Sequence, residues 1–387
     1  MITQTERIPV ASDCRPAPVP RVALFSDTYD EINGVAKTFK RLANEFSKRN
    51  LELHIYTYGD QEGVTEQGSV KVFRFNHRYA VRYYEHLRYE LFKNVSVIRT
   101  FEKNLSTSRY GVVHIAAPGS MGWLGRTLAL DRQLPLLGTY HTSLAEYTAE
   151  RTPAVVRNPI RRATWTFLRK FYAPCRQVLC PTNSIVEELR RNGFQNRLGI
   201  FTRGIDSKVF TPLRPKSQEA EVTVGYVGRL APEKNVRALP ELVSGTGARC
   251  MIVGDGPERP VLQRSLPNAN FTGYLQGEEL ASAYSQIDIL VFPSLTDTFG
   301  NVVLEAMASG AVPVVLKAPG PSDFVESGVN AFVSSDVKEM RHHIGLLMSD
   351  PHLRQTMADE AVLFAQSRDW DAVFDRLVDD YRSSAEL

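Results

Sequence analysis

Ile289-Leu-Val-Phe-Pro-Ser-Leu-Thr-Asp297-Thr-Phe-Gly-Asn301-Val-Val-Leu-Glu305-Ala-Met-Ala-Ser-Gly310 opens as a strand and closes as a helix. Four consecutive apolar residues, 289–292, predict a strand buried on both faces. Pro293-Ser294 breaks it, and a loop leads into a helix near Asn301. Such a helix start presents free backbone N–H groups and the positive end of the helix dipole, a good seat for a phosphate or a polarised sugar hydroxyl. Asp297 lies in the loop and Glu305 about a turn inside the helix, which places the two carboxylates roughly 10 Å apart if the segment between is mostly helical. A carboxylate only accepts hydrogen bonds, which suits sugar and ribose hydroxyls.

Upstream, Val222-Thr-Val-Gly-Tyr-Val-Gly228-Arg229 reads as a strand ended by glycine, followed by Leu-Ala-Pro232-Glu233-Lys234. Pro232 suits a first helical turn. Arg229 and Lys234 are then expected beside one helix N-terminus, where a guanidinium and an ammonium make a diphosphate site.

Strand and helix patterns alternate along the chain. In the first half they fall at 21–26, 34–46, 51–58, 112–116, 122–130, 135–141, 177–181 and 185–192. After 221 they resume at 221–227, 235–243, 249–253, 280–286, 289–292, 301 onward and 312–316, and an amphipathic helix covers 370–381. This alternation predicts βαβ units and doubly wound parallel sheets, an α/β class. The 387 residues suffice for two domains. Residues 213–220 are polar, contain proline and lack periodicity, as a linker does.

Composition excludes several classes. A net charge of +3 gives no case for nucleic-acid binding. Cys14, Cys175, Cys180 and Cys250 form no C-x-x-C or metal-like pair, consistent with a reduced cytoplasmic setting. No apolar run approaches the ~20 residues of a membrane span, so any membrane role is peripheral, on the inner face. Residues 1–20 carry four prolines and no apolar stretch, and read as a flexible leader rather than a secretion signal. No metal or other cofactor is called for.

Gly228-Arg229…Glu233-Lys234 together with Asp297-x7-Glu305 resembles the signature of glycosyltransferase family 4. The resemblance runs over nearly the whole chain beyond residue 20. It implies the GT-B fold: two Rossmann-like doubly wound domains facing a central cleft, with transfer that retains anomeric configuration. Residues 21–212 would form the acceptor-side domain and 221–365 the nucleotide-sugar domain, with 366–387 a helix packing back on the first. Arg229 and Lys234 would stabilise the departing diphosphate. His141, following 136–140, would hydrogen-bond the donor sugar. Asp297 would handle the sugar and Glu305 the ribose.

The resemblance also assigns Gly34, Arg203, Gly228, Phe299, Gly300 and Asn301 to the donor site, and Gly254-Asp-Gly256 to the nucleotide edge. Many members carry two glycines where this chain has Asn33-Gly34. For Gly34 alone a plain turn glycine is the simpler account. Arg203 precedes Gly-Ile-Asp206 at the hinge, and is expected to face the diphosphate.

The sub-pattern Thr-Asp-Thr-Phe-Gly-Asn-Val-Val-Leu-Glu305 is similar to the branch of sulfoquinovosyl- and mannosyl-transferases acting on glycerolipids. That implies a nucleotide-diphospho-sugar donor, GDP-mannose or a UDP-hexose, and a lipid or glycan acceptor. A soluble sugar or polyol acceptor and a sugar-nucleotide epimerase on the same scaffold remain alternatives. Residues 151–186 contain no acidic side chain. Arg161, Arg162, Trp165, Arg169 and Lys170 there suit an anionic membrane surface, and a core helix with a basic outer face is the competing account.

Overall fold

Two parallel sheets organise the molecule. The computed structural model describes residues 18–31, 33–77, 80–84, 87–90, 94–150, 152–213 and 221–386. Most of the expected leader and residues 214–220 of the expected linker lie outside the described residues, as does Arg151.

The first sheet is built from β1 (Val22–Ser26), β2 (Leu53–Tyr58), β3 (Gly63–Gln67), β4 (Val70–Phe75) and, after a separate hairpin of β5 (Ala80–Tyr84) and β6 (Leu87–Glu90), β7 (Val112–Ile115), β8 (Leu136–Thr139), β9 (Gln177–Cys180) and β10 (Arg197–Ile200). Its spatial order is β10-β9-β8-β7-β1-β2-β4-β3, parallel except for the edge strand β3. The second sheet holds β11 (Thr223–Val227), β12 (Arg249–Val253), β13 (Asn270–Gly273), β14 (Ile289–Phe292), β15 (Val312–Leu316) and β16 (Phe332–Ser334), in the order β13-β12-β11-β14-β15-β16.

Every residue of β1, β11, β14 and β15 is buried. Both faces of each sheet are covered, so alternate residues feed two separate cores. Ala23 and Phe25 join one layer, Val22 and Leu24 the other. That double burial is why these strands read as continuous apolar runs.

The final helix, Trp370–Glu386, lays Val373, Phe374, Leu377 and Tyr381 into the layer beneath Val22 and Leu24. Its Tyr381 hydroxyl meets His114 Nδ1 at 2.8 Å.

The structure departs from the sequence reading in two places that matter for the site. The helix expected at 235–243 is instead two 3₁₀ turns, Pro232–Lys234 and Val236–Ala238, then a short helix Leu239–Val243. Asn235 interrupts it in the left-handed region at φ 52°, where its side-chain amide donates to the Pro293 carbonyl. Lys234 thus closes a three-residue turn, and no long helix dipole stands behind it. Strand β8 stops at Thr139, so Tyr140 and His141 belong to the loop that follows.

Candidate active site

Parallel strand order reverses at β7/β1 in the first sheet and at β11/β14 in the second. A crevice forms beyond the carboxyl ends of strands at such points. The loops there carry Asp27 to Gly34, Gly228 to Lys234, and Pro293 to Gly300. Topology therefore brings Gly34 to one such crevice and Gly228, Arg229, Lys234, Asp297 and Gly300 to the other.

Buried polar atoms mark the same place. Ser26 Oγ, His141 Nε2, Thr182 Oγ1, Ser294 Oγ and Asp297 Oδ2 are buried with no hydrogen-bond partner among the described residues. Each lies at or just past the end of β1, β8, β9 or β14. Buried polar groups are normally paired, and leaving one unpaired costs about 1–3 kcal/mol. Unpaired polar atoms at these strand ends are available to a polar ligand, although others, such as Trp123 Nε1 and Ser309 Oγ, lie away from them.

Two cations flank the loop after β11. Arg229 Nη2 donates to the buried Glu233 carboxylate. This contact orients the guanidinium and gives Glu233 a job within the motif. Lys234 Nζ lies 2.6 Å from Asp297 Oδ1. The sequence reading gave these two residues separate roles, and the fold joins them as an ion pair. Thr296 Oγ1 also donates to the Glu233 carbonyl at 3.0 Å, tying the two loops together.

Gly300 takes φ 81° to start the helix Asn301–Ala308, a conformation open to glycine. Across the cleft, Gly34 begins the helix Gly34–Lys48, capped by the Asn33 side chain. A Cβ on Gly34 would lie 2.9 Å from Asn301 Nδ2. Two helix N-termini from different domains thus converge where Gly34 meets the Asn301 side chain. Both positive ends favour an anion between them.

Glu305 accepts from the Tyr284 hydroxyl at 2.8 Å. Burial raises its pKa above the usual carboxylate range, opposed by Lys37, the Tyr284 bond and Arg41. Tyr284 and Lys37 were not singled out from the sequence. Nothing in their local pattern distinguishes a tyrosine beneath a carboxylate from an ordinary core tyrosine.

Two expectations are corrected. Arg203 does not stand open to a diphosphate: it is 4% exposed, and its guanidinium donates to the Phe201 and Thr202 carbonyls and to His141. The Phe299 side chain is core, stacked on Phe324 at 4.6 Å, so its main chain, as part of the helix start at 299–301, is what it offers the cleft. Trp165 is 6% exposed and packs beside Tyr140 and Phe194, so it faces no membrane. The basic helix is Ala154–Tyr172, and its Arg161 pairs with Glu146 at 2.8 Å.

Comparison with known proteins settles the family. The model described as Glycosyltransferase Family 4 matches residues 32–209, and the model described as Glycosyl transferases group 1 matches 221–350. A GDP-mannose-dependent alpha-mannosyltransferase of Corynebacterium glutamicum is 33% identical over 70% of this chain and 67% of its own. The chain belongs to glycosyltransferase family 4. A sulfoquinovosyl transferase of Arabidopsis thaliana is 26% identical over 94% of this chain and 74% of its own. A sucrose-phosphate synthase from Thermosynechococcus elongatus superposes with TM-score 0.76 at 19% identity, over 94% of this chain and 98% of its own. The two-domain architecture is GT-B, and this family-4 protein is a hexosyltransferase of the branch that includes glycerolipid-acting enzymes.

Among the described residues of this glycosyltransferase, no group of three His, Cys, Asp or Glu is placed to hold a metal. No described helix is long and apolar enough to cross a membrane. The outer face of helix Ala154–Tyr172 exposes Arg162, Arg169 and Lys170 with Phe167 and, at its start, Val155 and Val156. Val155 is 86% exposed.

Proposed function

We propose that this protein is a retaining transferase that moves a hexosyl group from a nucleotide-diphospho-sugar to a hydroxyl of a lipid or glycolipid. The observation that carries this is the convergence on one cleft of Arg229, the Lys234–Asp297 pair, two facing helix N-termini and the unpartnered His141 Nε2. The diphosphate sits beside the junction of Gly34 with the start of helix Asn301–Ala308. Arg229 and Lys234 neutralise charge as it develops on the leaving diphosphate, the kind of preorganised electrostatics that dominates catalysis. Glu305 accepts from the ribose hydroxyls, while Asp297 and His141 bond the sugar. The acceptor hydroxyl attacks from the leaving-group side, and the departing phosphate oxygen takes its proton. This scheme needs no enzymic nucleophile.

GDP-mannose is the first donor to test, because the Corynebacterium relative is named for it. An epimerase would need a proton-transferring group at the sugar. His141 is the obvious candidate, yet burial first, then Arg203 and His114, hold its pKa well below the ordinary imidazole range. A neutral imidazole under a guanidinium makes a poor acid. A donor panel scored by thermal shift tests the donor assignment. GDP-mannose is expected to raise the melting temperature, and a shift with UDP-sugars alone would reverse the choice of base.

The acceptor is reached from an anionic membrane surface through the outer face of helix Ala154–Tyr172. Each Lys or Arg near such a surface contributes about 1 kcal/mol, screened by salt. Arg162→Glu with Lys170→Glu is therefore expected to abolish co-sedimentation with anionic vesicles at low salt, with donor binding unchanged. Neutral vesicles should not bind the wild type. If the reversed variant sediments as before, this helix is not the contact.

A further inference from the structure

Arg203 Nη2 lies 2.6 Å from His141 Nδ1. An arginine has donors only, so Nδ1 must present its lone pair. The single proton of a neutral imidazole then resides on Nε2. The guanidinium is itself fixed, because Nη1 donates to the Phe201 and Thr202 carbonyls at 2.9 and 3.0 Å. Both side chains are buried. The imidazole is held edge-on to Phe39 at 5.4 Å and lies beside Phe201. Its backbone carbonyl accepts from Thr298 of the opposite domain. Nε2, the nitrogen left with the proton, is buried without a partner among the described residues.

We infer that Arg203 is a positioning residue for the transfer: it locks His141 in the Nε2–H tautomer, so that the imidazole is a fixed hydrogen-bond donor to the bound sugar. This rests on the reading of His141 as a ligand of the donor sugar. Fixing a histidine by a partner on its other nitrogen is how many sites set ring orientation and tautomer. A cation in that position does something a carboxylate does not. It forbids Nδ1 from carrying a proton, and so forbids the imidazolium. The titratable and charged groups acting on the ring are Arg203 and His114, and both disfavour its protonation. His114 is itself bonded to the Tyr381 and Thr139 hydroxyls. Arg203's own pKa is pushed down to about 10 by burial, which leaves it charged at neutral pH.

Removing Arg203 frees the tautomer. In Arg203→Met, part of the population moves its proton to Nδ1, and Nε2 then offers a lone pair where the sugar needs a donor. Together with the loss of the guanidinium that fixes the ring's orientation, this is expected to cost about 10–100-fold in kcat at pH 8, with donor KM little changed. The pH dependence has a distinctive sign. With the neighbouring charge gone, the His141 pKa rises, while burial, the larger cause, still holds it below the ordinary imidazole range. As pH falls, the imidazolium forms and again carries a proton on Nε2, so the variant recovers activity toward acid pH. The wild type shows no such recovery. Arg203→Lys keeps charge and donor, and should restore part of the rate.

The test is ¹⁵N NMR of the ring nitrogens in the ligand-free protein, with His141→Ala to assign the signal, beside kcat and KM against pH. Wild type is expected to show Nδ1 bare and Nε2 protonated throughout the neutral range. A proton on Nδ1 of the wild type overturns the inference, whatever the variants do. So does an Arg203→Met protein with unchanged ring signature and pH profile. In a His141→Ala background, Arg203→Met should cost nothing further. If His141→Ala itself retains wild-type kcat and KM, the sugar-ligand reading fails instead, and the tautomer measurement still stands on its own.

Discussion

Lys234→Ala is expected to lower kcat by about 10²–10³ while the protein remains folded. Diphosphate charge grows toward the transition state, so a lost cation costs more there than in the ground state. Arg229→Ala should fall by a similar factor. The Lys234–Asp297 contact adds a second, separable effect. Lys234→Ala leaves the Asp297 carboxylate uncompensated beside an arriving diphosphate, so donor KM should rise as well. Adding Asp297→Asn to that variant removes the repulsion, and is expected to recover donor affinity without recovering rate. Steady-state kinetics with a melting curve for each variant checks both effects, and excess chelator should leave the wild-type rate intact. Near-wild-type turnover in both Lys234→Ala and Arg229→Ala would remove these cations from the reaction.

Much of this site was legible in the sequence because its loops follow strands that are buried on both faces. β11, β12, β14 and β15 are short apolar runs bounded by Gly, Pro or Ser, and their ends fall where the pattern says. Arg229, Lys234 and Asp297 fall in the loops past those ends and Glu305 on the helix that follows, and their roles come from the family resemblance. What the sequence concealed is pairing. Lys234 and Asp297 are far apart in the chain, and only the β11/β14 adjacency brings them together. Arg203 and His141 meet for a like reason: β8, β9 and β10 are neighbours, so the loops after β8 and β10 lie close. The basic helix misled because periodicity cannot say which stripe faces inward. Trp165 and Leu168 point to the core, and the charged residues take the other side. The 3₁₀ turns at Pro232–Ala238 were hidden because the asparagine that breaks them there resembles any helical asparagine.

The second large effect concerns the two carboxylates. Glu305→Gln is expected to weaken nucleotide binding, since the amide presents one acceptor where the carboxylate presents two, and it also faces Tyr284. Hydrogen bonds to charged groups are worth about 1.5–3 kcal/mol, which corresponds to roughly 10- to 100-fold in Kd. Asp297→Asn should leave nucleoside-diphosphate binding intact or tighter, because Lys234 is released, and should impair sugar transfer instead. Glu305 also predicts a pH dependence. Its raised pKa means the proton returns at a higher pH than for an exposed glutamate, and a protonated Glu305 is a poorer acceptor. Wild-type nucleotide affinity should therefore fall as pH drops through that raised value, and Glu305→Gln should not share that fall. Calorimetry with the nucleotide alone reads all three. Equal loss of affinity in both variants would refute the division of labour.

The most direct measurement incubates the wild-type protein with GDP-mannose or a UDP-hexose and a glycerolipid acceptor, then reads the linkage of the product by NMR. Transfer to the lipid hydroxyl with the donor's anomeric configuration retained is the expected result. An inverted linkage, an epimerised donor, or sugar released only to water would contradict the account.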